Sequence, residues 1–352
     1  MFLLGLSAFA FNVQSAKAQS GGTIVINPNG TISSPVTANI TISENETYTF
    51  NSNNYLPIIV NRSNIRIDGR GYTLQGNGTS TGFSLTKVSN VTIKNTAITN
   101  SLAGIYLSSS SGDTLSGNNA TRDGYGIELY SSSGNTLSGN NVTASYFGIF
   151  LFRSSGNVLS DNLMAGNTYN FYVYGSVLSD YINHVDTSNL VNGKPVYYLM
   201  NQSSIVISPQ TCLEGVGYLG LVNCKNMTVQ GLTLARNGQG LLLAFTNDTE
   251  INHVNVTSNS YGIGLYSSSG NTLSGNNVTA NLNDGIELYS SSGNVLSGNN
   301  VTANLNDGID LFSSPSNVLS GNNVTANTWD GIYLFFSSGN RIFHNDFVNN
   351  KH

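Results

Sequence analysis

From Gly262 onward the chain repeats itself. GIGLYSSSGNTLSGNNVTANLND, GIELYSSSGNVLSGNNVTANLND and GIDLFSSPSNVLSGNNVTANTWD follow one another, and Ile263, Ile286, Ile309 and Ile332 each stand 23 residues apart. A fixed period of this length marks a stacked repeat, whose units cannot bury an apolar face alone. Within one unit Ile286 and Leu288 alternate with Glu287 and Tyr289, the period of a strand with one buried face. Leu296 and Val301 supply two further apolar points. Between the three lie SSSGN, SGNN and ANLNDG, built from turn-forming residues. No stretch of the unit carries apolar residues at helical spacing. Three strands and three turns per unit therefore predict one triangular coil, stacked on its neighbours with right-handed crossovers. The predicted fold is all-β, a right-handed single-stranded parallel β-helix.

The register extends backwards. Leu241 and Leu219 continue it at steps of 22, a step of 48 reaches Phe171, and Ile149, Ile127, Ile105 and Phe83 follow at 22. Ile58 is an earlier member, and Val196 splits the long step. This gives about 13 coils of 22–23 residues, a rod roughly 60 Å long at about 4.8 Å per coil. The expected organisation is a signal peptide at 1–18, ending at the small-x-small site Ala16-Lys17-Ala18, an N-terminal cap at 19–57, and a β-helix at 58–352 interrupted at 175–218.

Composition narrows the function classes. Charged residues make up 9% of the chain and the net charge is −5, so the basic footprint of a nucleic-acid binder is missing. No later run of about 18 apolar residues predicts a transmembrane segment in the mature chain. Export is the expected location, secreted, periplasmic or at the cell surface. Asn-x-Ser/Thr acceptors recur from Asn29 to Asn323. Asn277, Asn300 and Asn323 are among those that arise because NNVT belongs to the repeat, so they serve turn and ladder geometry or carry glycans. Cys212 and Cys224 form a disulfide in an exported chain, or remain two buried thiols.

Three stretches bring in a family. IRIDGRGYTLQG at 65–76, NVTIKNTAI at 90–98 and NHVDTSNLVNGKPVYYL at 183–199, together with the recurring GIxL and NxLSGN, resemble the NosD-like parallel β-helix proteins and related archaeal surface proteins. The resemblance spans nearly the whole mature chain. It implies the β-helix fold, a superfamily of carbohydrate-binding proteins and sugar hydrolases, and, for NosD itself, copper delivery to nitrous oxide reductase. Copper wants convergent His, Met or Cys. Here His184, His253, His344 and His352 form no close-spaced pair, which speaks against that role.

The candidate chemistry lies on one outward face. After the inward Leu of GIxL stand Tyr130, Phe152 and Tyr174, then Tyr266, Tyr289, Phe312 and Phe335. Two positions earlier come Glu287 and Asp310, and just before the glycine Asp284, Asp307 and Asp330. In-register stacking turns these into an aromatic file beside acidic files. Such files stabilise neighbouring coils by themselves. They also suit a polysaccharide, whose surface alternates apolar and hydroxyl patches. The Asp file is a weak candidate for a hard cation such as Ca²⁺, and no other cofactor is implied. Repetition generates carboxylate pairs without selecting one catalytic pair, so the expected function is a non-catalytic glycan-binding or structural module of the cell surface. A polysaccharide hydrolase or lyase is the alternative.

Overall fold

A computed structural model describes residues 22–44 and 46–351; the expected signal peptide at 1–18 lies outside them. The chain forms about 14 turns of parallel β-solenoid with almost no helix. One coil reads Ile286–Tyr289, Val295–Ser297, Asn300–Thr302. Each strand pairs in parallel with its equivalent one coil on, so Ile286 partners Ile309, Leu296 partners Leu319 and Val301 partners Val324. All six are fully buried, worth roughly 1.5–3 kcal/mol per side chain. The glycine of GIxL has a steric reason. A Cβ at Gly285 would lie 2.5 Å from Val301 Cγ1 and 2.7 Å from Asn304 Nδ2.

Buried asparagines hold the corners. Asn276, Asn299 and Asn322 stand above one another, each at most 1% exposed. The backbone N–H of Asn276 donates to Asn299 Oδ1 at 3.0 Å, and Asn299 N–H donates to Asn322 Oδ1 at 3.0 Å. Asn299 Nδ2 donates to Leu273 O and Asn322 Oδ1, both at 2.9 Å. The amide thus satisfies a donor and an acceptor that the turn leaves without strand partners, which is why the first Asn of each NNVT is buried.

The coils do not form one uninterrupted register. At Leu190–Val191 the parallel series ends in an antiparallel step, Leu190 opposite Pro195 and Val191 opposite Lys194. The two loop residues are Asn192 and Gly193, with φ of 49° and 79°. An Asn-Gly pair with both φ positive is the preferred two-residue hairpin. Strand Lys194–Met200 then starts a second parallel series that runs to Ile332–Phe335. The file expected from Phe171 to Leu219 is therefore two files. Phe171 closes an eight-stranded sheet, whereas Leu219 lies in a 13-stranded one. Val196, placed in that file by spacing, pairs with Tyr218, and Tyr197 is the residue that aligns with Leu219.

The 13-stranded sheet consequently serves two cores, one on each face. Leu74, Ile98, Val142 and Val191 face a core shared with Phe171 and Val173. After the hairpin, Leu219, Leu221, Leu241 and Leu243 face a second core, while Tyr218, Val222, Leu242 and Ala244 on the opposite face join the first. Strand Gln239–Ala244 is accordingly buried at every position. The outer face of the second stack plugs the end of the first. Gly238 N–H donates to Phe171 O at 2.9 Å, Gln239 Nε2 to Val173 O at 2.9 Å, and Tyr198 OH to Tyr181 O at 2.6 Å.

Candidate functional site

On the first stack the outward face of the GIxL strands is aromatic across its width. Tyr130 stacks on Phe152 at 4.9 Å with 10° between ring planes, and Phe152 on Tyr174 at 5.7 Å. Beside them Phe150 stacks on Tyr172 at 4.7 Å, and a third file pairs Tyr125 with Phe147 at 5.1 Å. This third file was missed in the sequence. Its signal was available, because Tyr125 and Phe147 stand two residues before Ile127 and Ile149, where the second stack carries its aspartates.

On the second stack one file is aromatic. Tyr289 and Phe312 stack at 5.1 Å with 3° between planes, and Phe312 and Phe335 at 5.1 Å. Tyr289 and Phe312 are half-buried, with Phe335 exposed. Tyr266 does not belong with them. Only 3% of it is exposed, because the end of the first stack covers that coil. Its ring meets Tyr174 edge-on at 5.7 Å and Tyr181 at 6.2 Å. The expectation that it faces a glycan is corrected accordingly. Its hydroxyl instead donates to Glu287 Oε2 at 2.7 Å.

The acids gather where the two stacks meet. Glu287 and Asp310 are register partners on adjacent strands. Burial, reinforced by Asp284, pushes the Glu287 carboxyl up to about 8, with the Tyr266 hydroxyl pulling the other way. Burial and the charges of Asp284, Glu287 and Asp307 push Asp310 to about 8 as well, and its Oδ1 is buried without a hydrogen-bond partner. Asp284 rises to about 6 through burial and Asp307. No lysine, arginine or histidine contributes to these shifts. The surface is thus a set of partly protonated acids beside a strip of ring faces.

In the Asp file the carboxylates serve the backbone. Asp284 Oδ1 accepts from Asp307 N–H at 3.0 Å and from Asn306 Nδ2 at 2.6 Å, and Asp307 Oδ1 accepts from Asp330 N–H at 2.8 Å. Among the described residues no group of three or more His, Cys, Asp or Glu is placed to hold a metal ion. The exposed sequon asparagines form a ladder too: Asn300 Nδ2 donates to Asn277 Oδ1 at 2.7 Å, and Asn323 Nδ2 to Asn300 Oδ1 at 2.8 Å.

The expected disulfide is absent. Cys212 and Cys224 are separate buried thiols. Cys224 occupies a corner position filled by Thr246, Ser268, Ser291 and Ser314 in later coils. Its Sγ contacts Leu199 O and Val222 O at 3.4 Å, as Thr246 Oγ1 contacts Leu221 O and Ala244 O. The thiol does the work of a ladder hydroxyl and points inward.

No curated protein matches the chain. Among solved structures it is similar to the periplasmic alginate epimerase AlgG, at 14% identity over 89% of this chain and 81% of that one, TM-score 0.34. It is also similar to the A-module of the Azotobacter vinelandii mannuronan C-5 epimerase AlgE6, at 15% identity over 86% and 79%, TM-score 0.36. Tailspike protein 3 of bacteriophage CBA120 is similar at 13% identity over 87% and 55%, TM-score 0.32. Likeness at this level carries no functional argument.

A family model described as periplasmic copper-binding protein (NosD) matches residues 10–197 and again 179–352. The donor set here does not fit copper. His184, His253 and His344 are exposed and far apart in sequence, and Met164 and Met227 are buried in different cores. By repeat, fold and match over nearly its full length, the chain belongs to the NosD family.

Proposed function

We propose that this chain is an exported, non-catalytic β-helix module that binds glycans along the outward face of its GIxL strands. The observation that carries the reading is the stack of Tyr289, Phe312 and Phe335, ring on ring and open to solvent at one end, beside Glu287 and Asp310. Ring faces take the apolar side of a sugar, and carboxyls take its hydroxyls. No cation offsets these acids, so where pH ionises them a uronate chain meets repulsion that a neutral or amine-bearing glycan does not. Among the described residues no helix is long and apolar enough to cross a membrane.

The test is retention on a glycan array, with Tyr289→Ala and Phe312→Ala as probes. Loss of retention with the circular dichroism of the fold intact supports the reading; unchanged retention overturns it.

A second reading, a polysaccharide-processing enzyme, is favoured by one feature. Glu287 and Asp310 are register partners on adjacent strands, whose backbones lie about 4.8 Å apart, within reach of the roughly 5–5.5 Å between the carboxyls of a retaining pair. A retaining pair needs one carboxyl protonated as the acid and the other ionised as the nucleophile, and carboxyls raised to about 8 supply the protonated one near neutral pH. Sustained release of reducing ends from a bound glycan, abolished by Glu287→Gln, would promote this reading over the first.

A further inference from the structure

The corner ladders of the first stack contain a residue that does not fit the pattern as an anion. Asn135 and Asn157 show what the position requires. Asn135 N–H donates to Asn157 Oδ1 at 2.9 Å, and Asn135 Nδ2 donates to Ser110 O at 3.5 Å and Asn157 Oδ1 at 3.1 Å. Asn157 repeats this toward Asn183 and Ser132 O. One coil earlier the same position is Asp113, 1% exposed. Its Oδ1 accepts from Val91 N–H at 2.8 Å and its own N–H donates to Asn135 Oδ1 at 2.9 Å, so it is in register. Its Oδ2, however, stands where the asparagines put a donor, and it is buried with no partner. By the same register the groups facing that atom are acceptors, the Val88 carbonyl and Asn135 Oδ1. An ionised oxygen buried there would confront two lone-pair bearers.

We infer that Asp113 is held as a neutral carboxylic acid whose Oδ2–H replaces the asparagine Nδ2–H, and that this makes the first stack a pH-sensitive element, firmest below neutral pH. Burial pushes the carboxyl up to about 7, opposed by the Val91 N–H alone, and no charged side chain contributes. Asp123 offers a weaker instance in another ladder. It is 3% exposed with an unpartnered Oδ2, raised to about 7 by burial and opposed by hydrogen bonds from Ser101 and Thr121. The direction follows from linkage. An aspartate whose folded value lies above its unfolded 3.8 imposes no penalty below that pH. Stability is lost as pH rises from there toward 7 and stays lost above it.

The experiment combines infrared spectroscopy of ¹³C-aspartate-labelled protein with thermal unfolding of wild type and Asp113→Asn. The inference expects a protonated-carboxyl C=O band at pH 6 that vanishes from the Asp113→Asn spectrum. It also expects Asp113→Asn to match wild type in Tm near pH 4 and to exceed it increasingly up to pH 8. If Asp113→Asn fails to accumulate, Asp113→Ser assigns the band. Absence of that band at pH 6, or a Tm difference constant with pH, would overturn the inference.

Discussion

The two stacks are built from the same three-strand coil and differ in what they present outward. In the first, every outward file of the GIxL strands becomes aromatic by the coil of Phe147–Phe152. In the second, one file stays aromatic and the other two turn acidic. The inward residues barely change, Ile127, Ile149, Ile263 and Ile286 all being fully buried. The ladders differ as well. In the second stack the Asn271–Asn294–Asn317 and Asn281–Asn304–Asn327 series are unbroken, whereas in the first an acid stands at each equivalent position, 113 and 123. Inward positions answer to packing, which is the same problem in every coil. Variation outward is free of that constraint, so it is where a binding preference is written.

The largest effect expected from breaking this comparison is in an unbroken ladder. Asn299→Leu takes the side-chain partner from Asn276 N–H and Leu273 O, while Asn322 Oδ1 keeps the backbone N–H of residue 299, at about 1–3 kcal/mol per buried group. Denaturant unfolding should show a loss of roughly 2–6 kcal/mol. Asp113→Asn should act in the opposite sense. A rise from 3.8 to about 7 at 1.36 kcal/mol per unit corresponds to about 4 kcal/mol of stability regained at pH 8, and to none near pH 3.5.

Next in size is binding. Tyr289→Ala with Phe312→Ala should weaken glycan retention roughly tenfold, at about 0.5–1.5 kcal/mol per ring. The same change at Tyr130 and Phe152 tells whether the first face shares the ligand. Smallest is Glu287→Gln. The folded carboxyl, raised from 4.5 to about 8, is fully tolerated below its unfolded value and destabilises as pH climbs through neutrality. The variant should therefore unfold later than wild type at pH 8 and equally at pH 4. Because the side chain is only half-buried, solvent screening holds the gain to about 1 kcal/mol.

Much of the fold is legible in the sequence, because a 23-residue period leaves few alternatives. Ile286 and Ile309 are strand neighbours as the spacing implies, and the NNVT corners fall where turn chemistry puts them. The reversal at 192–193 was equally written, as Asn-Gly directly after the apolar pair Leu190-Val191. Spacing obscured it, because a 48-residue gap divides so nearly into two coils that a phantom member at Val196 fills it. The burial of Tyr266 was not legible at all. Its repeat position equals that of Tyr289, and only the plugging of one stack by another, a contact between residues about 90 positions apart in sequence, separates them. The same contact adds to the burial that raises Glu287.

That contact is open to direct measurement. With Tyr174→Cys and Tyr266→Cys in one chain, a short bis-maleimide should join the two thiols, since the native rings lie 5.7 Å apart, and peptide mapping would locate the bridge. Tyr266→Cys with Tyr289→Cys, on adjacent strands, is the control. Bridging of both pairs is the result expected of two stacks meeting end against face. Bridging of the control alone would contradict it, and would restore a single straight rod with those tyrosines about four coils, or roughly 19 Å, apart.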